Sequence, residues 1–132
     1  MPARRPRPHT PRSGLRAARR AQARATLTRA KAHLDDLALY PQPVRIDRVR
    51  VLVVGWLFRL PWFGRFDGYA SWNLILLRSA ELMSDDRLVC HELCHVWQMQ
   101  HRPLRMPLSY LRVGYARNPY EAQARRAASD MR

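Results

Sequence analysis

Residues 84–101 read SDDRLVCHELCHVWQMQH, and this stretch decides how the rest of the chain is placed. Ser84, Asp85 and Asp86 supply an N-cap and first-turn carboxylates, which favour the positive end of a helix dipole. Pro103 marks the stop. The pattern predicts a helix over about 85–101. Leu88, Val89, Leu93, Val96 and Trp97 gather on one side of it, and His91, His95 and Gln98 on another. One face anchors the helix and a different face presents the histidines.

His91-Glu92-Leu93-Cys94-His95 is H-E-x-x-H. Residues four apart on a helix are separated by about 6 Å of rise and about 40° of rotation, so both imidazoles reach one metal ion. Glu92 sits about 100° from His91. From there its carboxylate faces an activated water rather than the metal, as a general base must. A catalytic zinc site takes three protein ligands and keeps one open position.

Two residues compete for the third place. His101 gives H-E-x-x-H-x-x-Q-x-x-H, the metzincin spacing with Gln98 in place of the glycine. On a continuous helix His101 lies about 9 Å and about 240° from His95, and points away. It ligates only if the helix breaks near 98, and Gln98 offers no break. Glu121 lies in Asn118-Pro119-Tyr120-Glu121, where Asn at the cap and Pro at the first position predict a last helix through about Asp130. A second helix carrying one carboxylate over the first completes a His2Glu set, and Ala122 and Ala124 keep bulk low for close approach. The competing role for Glu121 is a capping box closed back onto Asn118. The expected metal residues are His91, His95 and Glu121, with Glu92 catalytic and His101 the rival.

Working outward, 14–39 is rich in Ala, Leu and Arg and predicts a helix, with Leu27, Ala30, Leu34, Leu37 and Ala38 as its apolar stripe. Val44–Val54 predicts a strand whose period shifts near Asp47 and Arg48. Residues 55–70 read as a loop with a short helix or turn whose aromatics fill the core. Ser71–Arg78 predicts a second strand. Residues 103–117 read as a connection with one helical turn near Leu108–Val113. The fold class is α+β, arranged as a basic arm (1–13), an N-terminal helix (14–39) and a core domain (40–132).

HELCHVWQMQ followed by NPYEAQAR resembles the small gluzincin-type zinc metallopeptidases, compact bacterial proteins with a HELxHVWQ helix and a Glu on the next helix. The resemblance covers roughly 44–127. It implies a minimal zincin-like core: a small antiparallel or mixed sheet on the active-site helix, then the glutamate helix. It implies that Ser71–Arg78 is the edge strand that takes an extended peptide by strand addition. It implies peptide-bond hydrolysis with Zn2+ as cofactor, a peptide or protein as substrate, and a zinc-bound water activated by Glu92. Tyr110, Tyr115 and Tyr120 are the candidates for a further oxyanion donor. The thermolysin-like subgroup carries an Asp four residues after its ligand Glu. This chain has Arg125 there, which leaves the group that orients a histidine unassigned.

The chain has 132 residues, with 24 Lys and Arg against 10 Asp and Glu, for a formal charge of +14. Residues 1–31 hold ten of the basic groups and no acidic one. That charge raises an alternative: a basic protein bound to nucleic acid or another polyanion through 1–31, with a structural or vestigial zinc site. No apolar run follows the first arginines, so they are not read as a secretory signal. The uncharged apolar run Val51–Phe58 is far too short to cross a bilayer. Cys90 and Cys94 cannot build a disulfide framework and are expected to be buried and reduced, which fits a cytoplasmic location.

Overall fold

The computed structural model describes residue 3 and residues 11–131. The arm expected over 1–13 therefore lies largely outside the described residues, and 11–13 are helical. Helix α1 runs Pro11–Leu37. Strand β1 is Arg50–Val53, β2 is Gly68–Ser71 and β3 is Leu74–Leu77. Helix α2 spans Asp86–His101, α3 Arg105–Val113 and α4 Pro119–Ser129. The class is α+β: four helices and one small mixed sheet.

Helix α2 is the hub. It packs on α1, on α4 and on β2. Its cap is Asp85, whose side chain accepts from Leu88 N–H, which satisfies one of the free amides of the first turn. Val89, Leu93, Val96 and Trp97 are buried with Leu27, Ala30 and Leu34 of α1 in one core. Each large apolar side chain buried there contributes roughly 1.5–3 kcal/mol. Ala38, expected in the α1 stripe, is exposed instead. The helix ends at Leu37, and Ala38 turns out of it with φ 49°.

Polar ties fix α1 against the approach to α2. Thr26 Oγ1 donates to the Met83 carbonyl at 2.7 Å, and Arg29 pairs with Asp86 at 3.0 Å. Arg24 donates to the carbonyls of Ile46 and Val49. Residues 46–49 form a turn closed by Val49 N–H to the Ile46 carbonyl. That turn is the period shift near Asp47 and Arg48, and it cuts the expected strand over Val44–Val54 to four residues.

The sheet order is β1-β3-β2, with β3 parallel to β1 and antiparallel to β2. This corrects two expectations. The stretch 68–70, read as loop, is the body of β2. The stretch Ser71–Arg78, expected at the edge, instead holds the central strand, because β1 and β2 occupy its two sides. β2 is the edge beside α2. Ile75 and Leu77 point into the core, while Leu76 lies across from Leu52 and Tyr69.

The aromatic loop divides. Phe58 is buried, but Trp56 and Trp62 are 66% and 69% exposed, contrary to a core role. Helix α3 is also longer than the single turn expected. Pro107 falls in its first turn, where an amide hydrogen is not needed, so it does not break the helix. No described helix is long and apolar enough to cross a membrane.

Candidate metal centre

The two histidines of α2 and the glutamate of α4 meet. His91 Nε2 lies 2.9 Å from Glu121 Oε1, and His95 Nε2 lies 2.9 Å from Glu121 Oε2. The two Nε2 atoms are 3.2 Å apart. Glu121 and His95 are buried. One ligand atom from each of the three residues falls within 4.8 Å of the others, an arrangement that can hold a metal ion.

Local sequence explains the placement. Asn118 caps α4, accepting from Tyr120 N–H at 2.9 Å, and Pro119 opens the helix. Asn118 Nδ2 also donates to Ser109 Oγ of α3 at 2.9 Å. Ala124, Ala127 and Ala128 are buried, so α4 lies close to α2. The carboxylate of Glu121 turns to the histidines rather than back to Asn118, so the capping box is not what it serves. Tyr115 donates to Glu121 Oε1 at 2.9 Å and Tyr110 to Oε2 at 3.2 Å. Arg125 Nε lies 3.5 Å from Oε1. Burial pushes the Glu121 carboxyl up, but the hydrogen bonds and charges of His91 and His95 outweigh it and hold the group well below the carboxylate range.

Gln98 is the partner that spacing alone did not identify. It is fully buried. Its Nε2 donates to the Tyr120 carbonyl at 2.8 Å, and its Oε1 lies 2.8 Å from His95 Nδ1. A carbonyl only accepts, so the amide orientation is set, and His95 Nδ1 must carry the hydrogen. The Nε2 lone pair of that ring then faces the Glu121 carboxylate. Lone pair against carboxylate at 2.9 Å is repulsive unless a proton or a cation lies between them. Burial lowers the His95 pKa, yet Glu121 and Glu92 prevail and the net shift is upward. Two imidazole nitrogens and a carboxylate converging in this way fit a divalent cation. On α4, Gln123 Oε1 accepts from Gln98 at 2.9 Å and from Tyr40 at 3.0 Å, which carries the network on to the residues just after α1.

Glu92 shares the cleft but not the cluster. It is buried, and burial raises its pKa, eased by the nearby His95 and His91. Its carboxylate lies against Gly68 of β2: a Cβ there would stand 3.1 Å from Glu92 Cγ and 3.2 Å from Oε1. Gly68 is needed for that approach. The cleft measures ≈ 870 Å³ and runs between β2 and α3, with α2 beneath.

His101 stays outside the site. α2 continues unbroken through it, its Nδ1 bonds the Trp97 carbonyl at 3.1 Å, and its ring stacks on Tyr40. Of the three tyrosines, Tyr110 and Tyr115 line the cleft, and Tyr120 contributes its carbonyl to Gln98 instead. Cys90 and Cys94 are free and buried, as expected, and burial pushes both thiols up to about 12.

No family model, no curated protein and no solved structure matches this chain.

Proposed function

We propose that this protein is a zinc-dependent peptide hydrolase with a minimal zincin-like core. The observation that carries the reading is the convergence of His91 Nε2, His95 Nε2 and Glu121 on one point, with Glu92 buried beside them in the same cleft. Two imidazoles and one carboxylate form the donor set of hydrolytic zinc sites. A zinc ion held there supplies a Lewis acid and makes water acidic near neutral pH.

The chain's own groups supply the rest. Glu92 is the base placed to take a proton from an attacking water and to return it to the departing amine. Its raised pKa suits both halves of that exchange. Tyr110 and Tyr115 line the cleft with their hydroxyls donated to Glu121, and either serves a developing oxyanion only by releasing that bond. The register of β2 on β3 leaves the N–H and C=O of Gly68 and Ala70 on the open edge. An extended peptide pairs with such an edge, which sets its scissile bond above α2.

The test is turnover of a peptide library by wild type and Glu92→Gln, with zinc measured in both. Full zinc in both proteins and hydrolysis only in wild type supports the proposal. Zinc without hydrolysis in either refutes the enzyme and leaves a metal-binding protein.

One observation favours a second reading, polyanion binding through the basic segment 1–31. In α1 the charge is divided: Arg24 and Arg29 are spent on contacts within the fold, whereas Arg16, Arg19 and Arg20 are exposed. Binding to duplex nucleic acid that weakens steeply with salt and is lost in an Arg16, Arg19 and Arg20 to Gln variant supports it.

A further inference from the structure

Helix α3 walls the cleft with one face and shows an apolar stripe on another. Met106, Pro107 and Tyr110 point into the cleft. Leu104, Leu108 and Leu111, spaced i, i+4 and i+7 from the cap onward, are 70%, 52% and 83% exposed. Leucines at that spacing normally face a core. Here they face outward, and Arg105 and Arg112 stand together on the adjoining face. From residue 93 to residue 120 the chain has no acidic side chain and four arginines, at 102, 105, 112 and 117.

The opposite lip of the cleft is built the same way. Trp72 closes the β2–β3 hairpin and is 52% exposed. It holds φ 46°, in the left-handed region that a tryptophan rarely occupies, while its N–H donates to Met99 Sδ at 3.3 Å. A bulky, half-exposed aromatic held at a strained tip matches the interfacial zone of a bilayer, where one end of an indole is apolar and the other is wet. Trp72, Met106 and Pro107 line the same cleft, so hairpin tip and helix flank one opening.

We infer that α3, with Trp72, docks this protein on the surface of an anionic phospholipid bilayer, the leucine stripe lying in the headgroup–acyl boundary and Arg105 and Arg112 on the phosphates. Charge selects the occupant. An apolar stripe bordered by arginine, in a stretch with no carboxylate between residues 93 and 120, is the composition of helices that lie in the plane of such a membrane. The inference does not rest on the metal site or on hydrolysis, since it is read from vesicle binding alone.

The test is flotation of the full chain with vesicles of phosphatidylglycerol and phosphatidylcholine, and with phosphatidylcholine alone. Expected is partition onto the anionic vesicles. A variant with Leu104, Leu108 and Leu111 all changed to Gln, which keeps every positive charge, should partition at least about tenfold less. Circular dichroism checks that the variant folds. If it does not, Leu111→Gln, at the most exposed of the three sites, is measured in its place and should partition several-fold less. Equal partition of wild type and leucine variant overturns the inference and assigns the binding to the basic segment 1–31. No partition of wild type overturns it as well. So does a wild-type dimer that the leucine changes make monomeric without vesicle binding, which assigns the stripe to a second copy of this chain.

Discussion

Gln98 Oε1 lies 2.8 Å from His95 Nδ1, and the same side chain donates to the backbone of the helix that carries Glu121. One buried amide thus orients His95 on α2 and ties down the helix that carries Glu121. In the proposed zinc site it would do the work that an Asp does in the thermolysin-like subgroup, at the position held here by Arg125. Gln98→Leu removes these two bonds and the one to Gln123 at similar volume. We expect zinc affinity to fall by about 10–100-fold, the usual effect of losing a partner that orients a ligand. The metal-free protein should lose about 1–3 kcal/mol, because the buried His95 Nδ1 hydrogen is left without its acceptor. Zinc competition titration and chemical denaturation read the two effects separately.

Gly68 gives a second, more local test. A methyl group there meets the Glu92 side chain at 3.1 Å, and α2 leaves that carboxylate little room to retreat. Gly68→Ala should displace Glu92 while leaving His91, His95 and Glu121 in place. The expected outcome is full zinc content with turnover reduced roughly tenfold, since the carboxylate must give way by only a fraction of an ångström. Zinc loss in this variant would show that β2 supports the ligands rather than the base.

Glu121 and His101 form a matched pair of controls for the metal set. Elemental analysis of wild type should find about one zinc per chain. Glu121→Ala should lose most of it, since two histidines alone are an incomplete set. His101→Ala should keep it, because that ring is held by the Trp97 carbonyl and Tyr40. Retention in Glu121→Ala together with loss in His101→Ala would contradict the geometry.

The two thiols predict an alkaline limit. Unfolded cysteine titrates near about 8.5, whereas burial pushes Cys90 and Cys94 up to about 12. A raised pKa means that the fold prefers the protonated thiol. The stability it contributes is complete below about pH 8.5 and is lost as pH rises from there towards 12. Thermal melting should decline over that interval, and less steeply in a Cys90→Ala, Cys94→Ala variant. At pH 8 both thiols should resist an aromatic disulfide reagent until denaturant is added.

The helices α2 and α4 were legible because their signals are local. Asp85 and Asn118 cap them, Pro119 starts one, and the H-E-x-x-H spacing holds on any straight helix. The meeting of Glu121 with His91 and His95 followed from that spacing and from the small residues of α4. β2 was not legible. Gly68-Tyr69-Ala70-Ser71 has no alternation of its own and becomes a strand only by pairing with β3. The length of α3 was missed because its leucines point outward, so no stripe marked a buried face. Trp56 and Trp62 are exposed although their size points to burial, because size alone carries no periodicity. Gln98 fell on the histidine face from its spacing, but its role depends on the Tyr120 carbonyl, which arrives from 22 residues away.

The bond from Asn118 to Ser109 has a mechanical consequence. It fastens the start of α4 to the wall of the cleft, and Tyr110, on that same wall, holds Glu121. A ligand that pushes α3 outward therefore strains the grip on Glu121 before it disturbs the core around Trp97. Widening the groove and loosening Glu121 are a single movement. With an ion held as proposed, any guest too large for the groove weakens the grip on that ion.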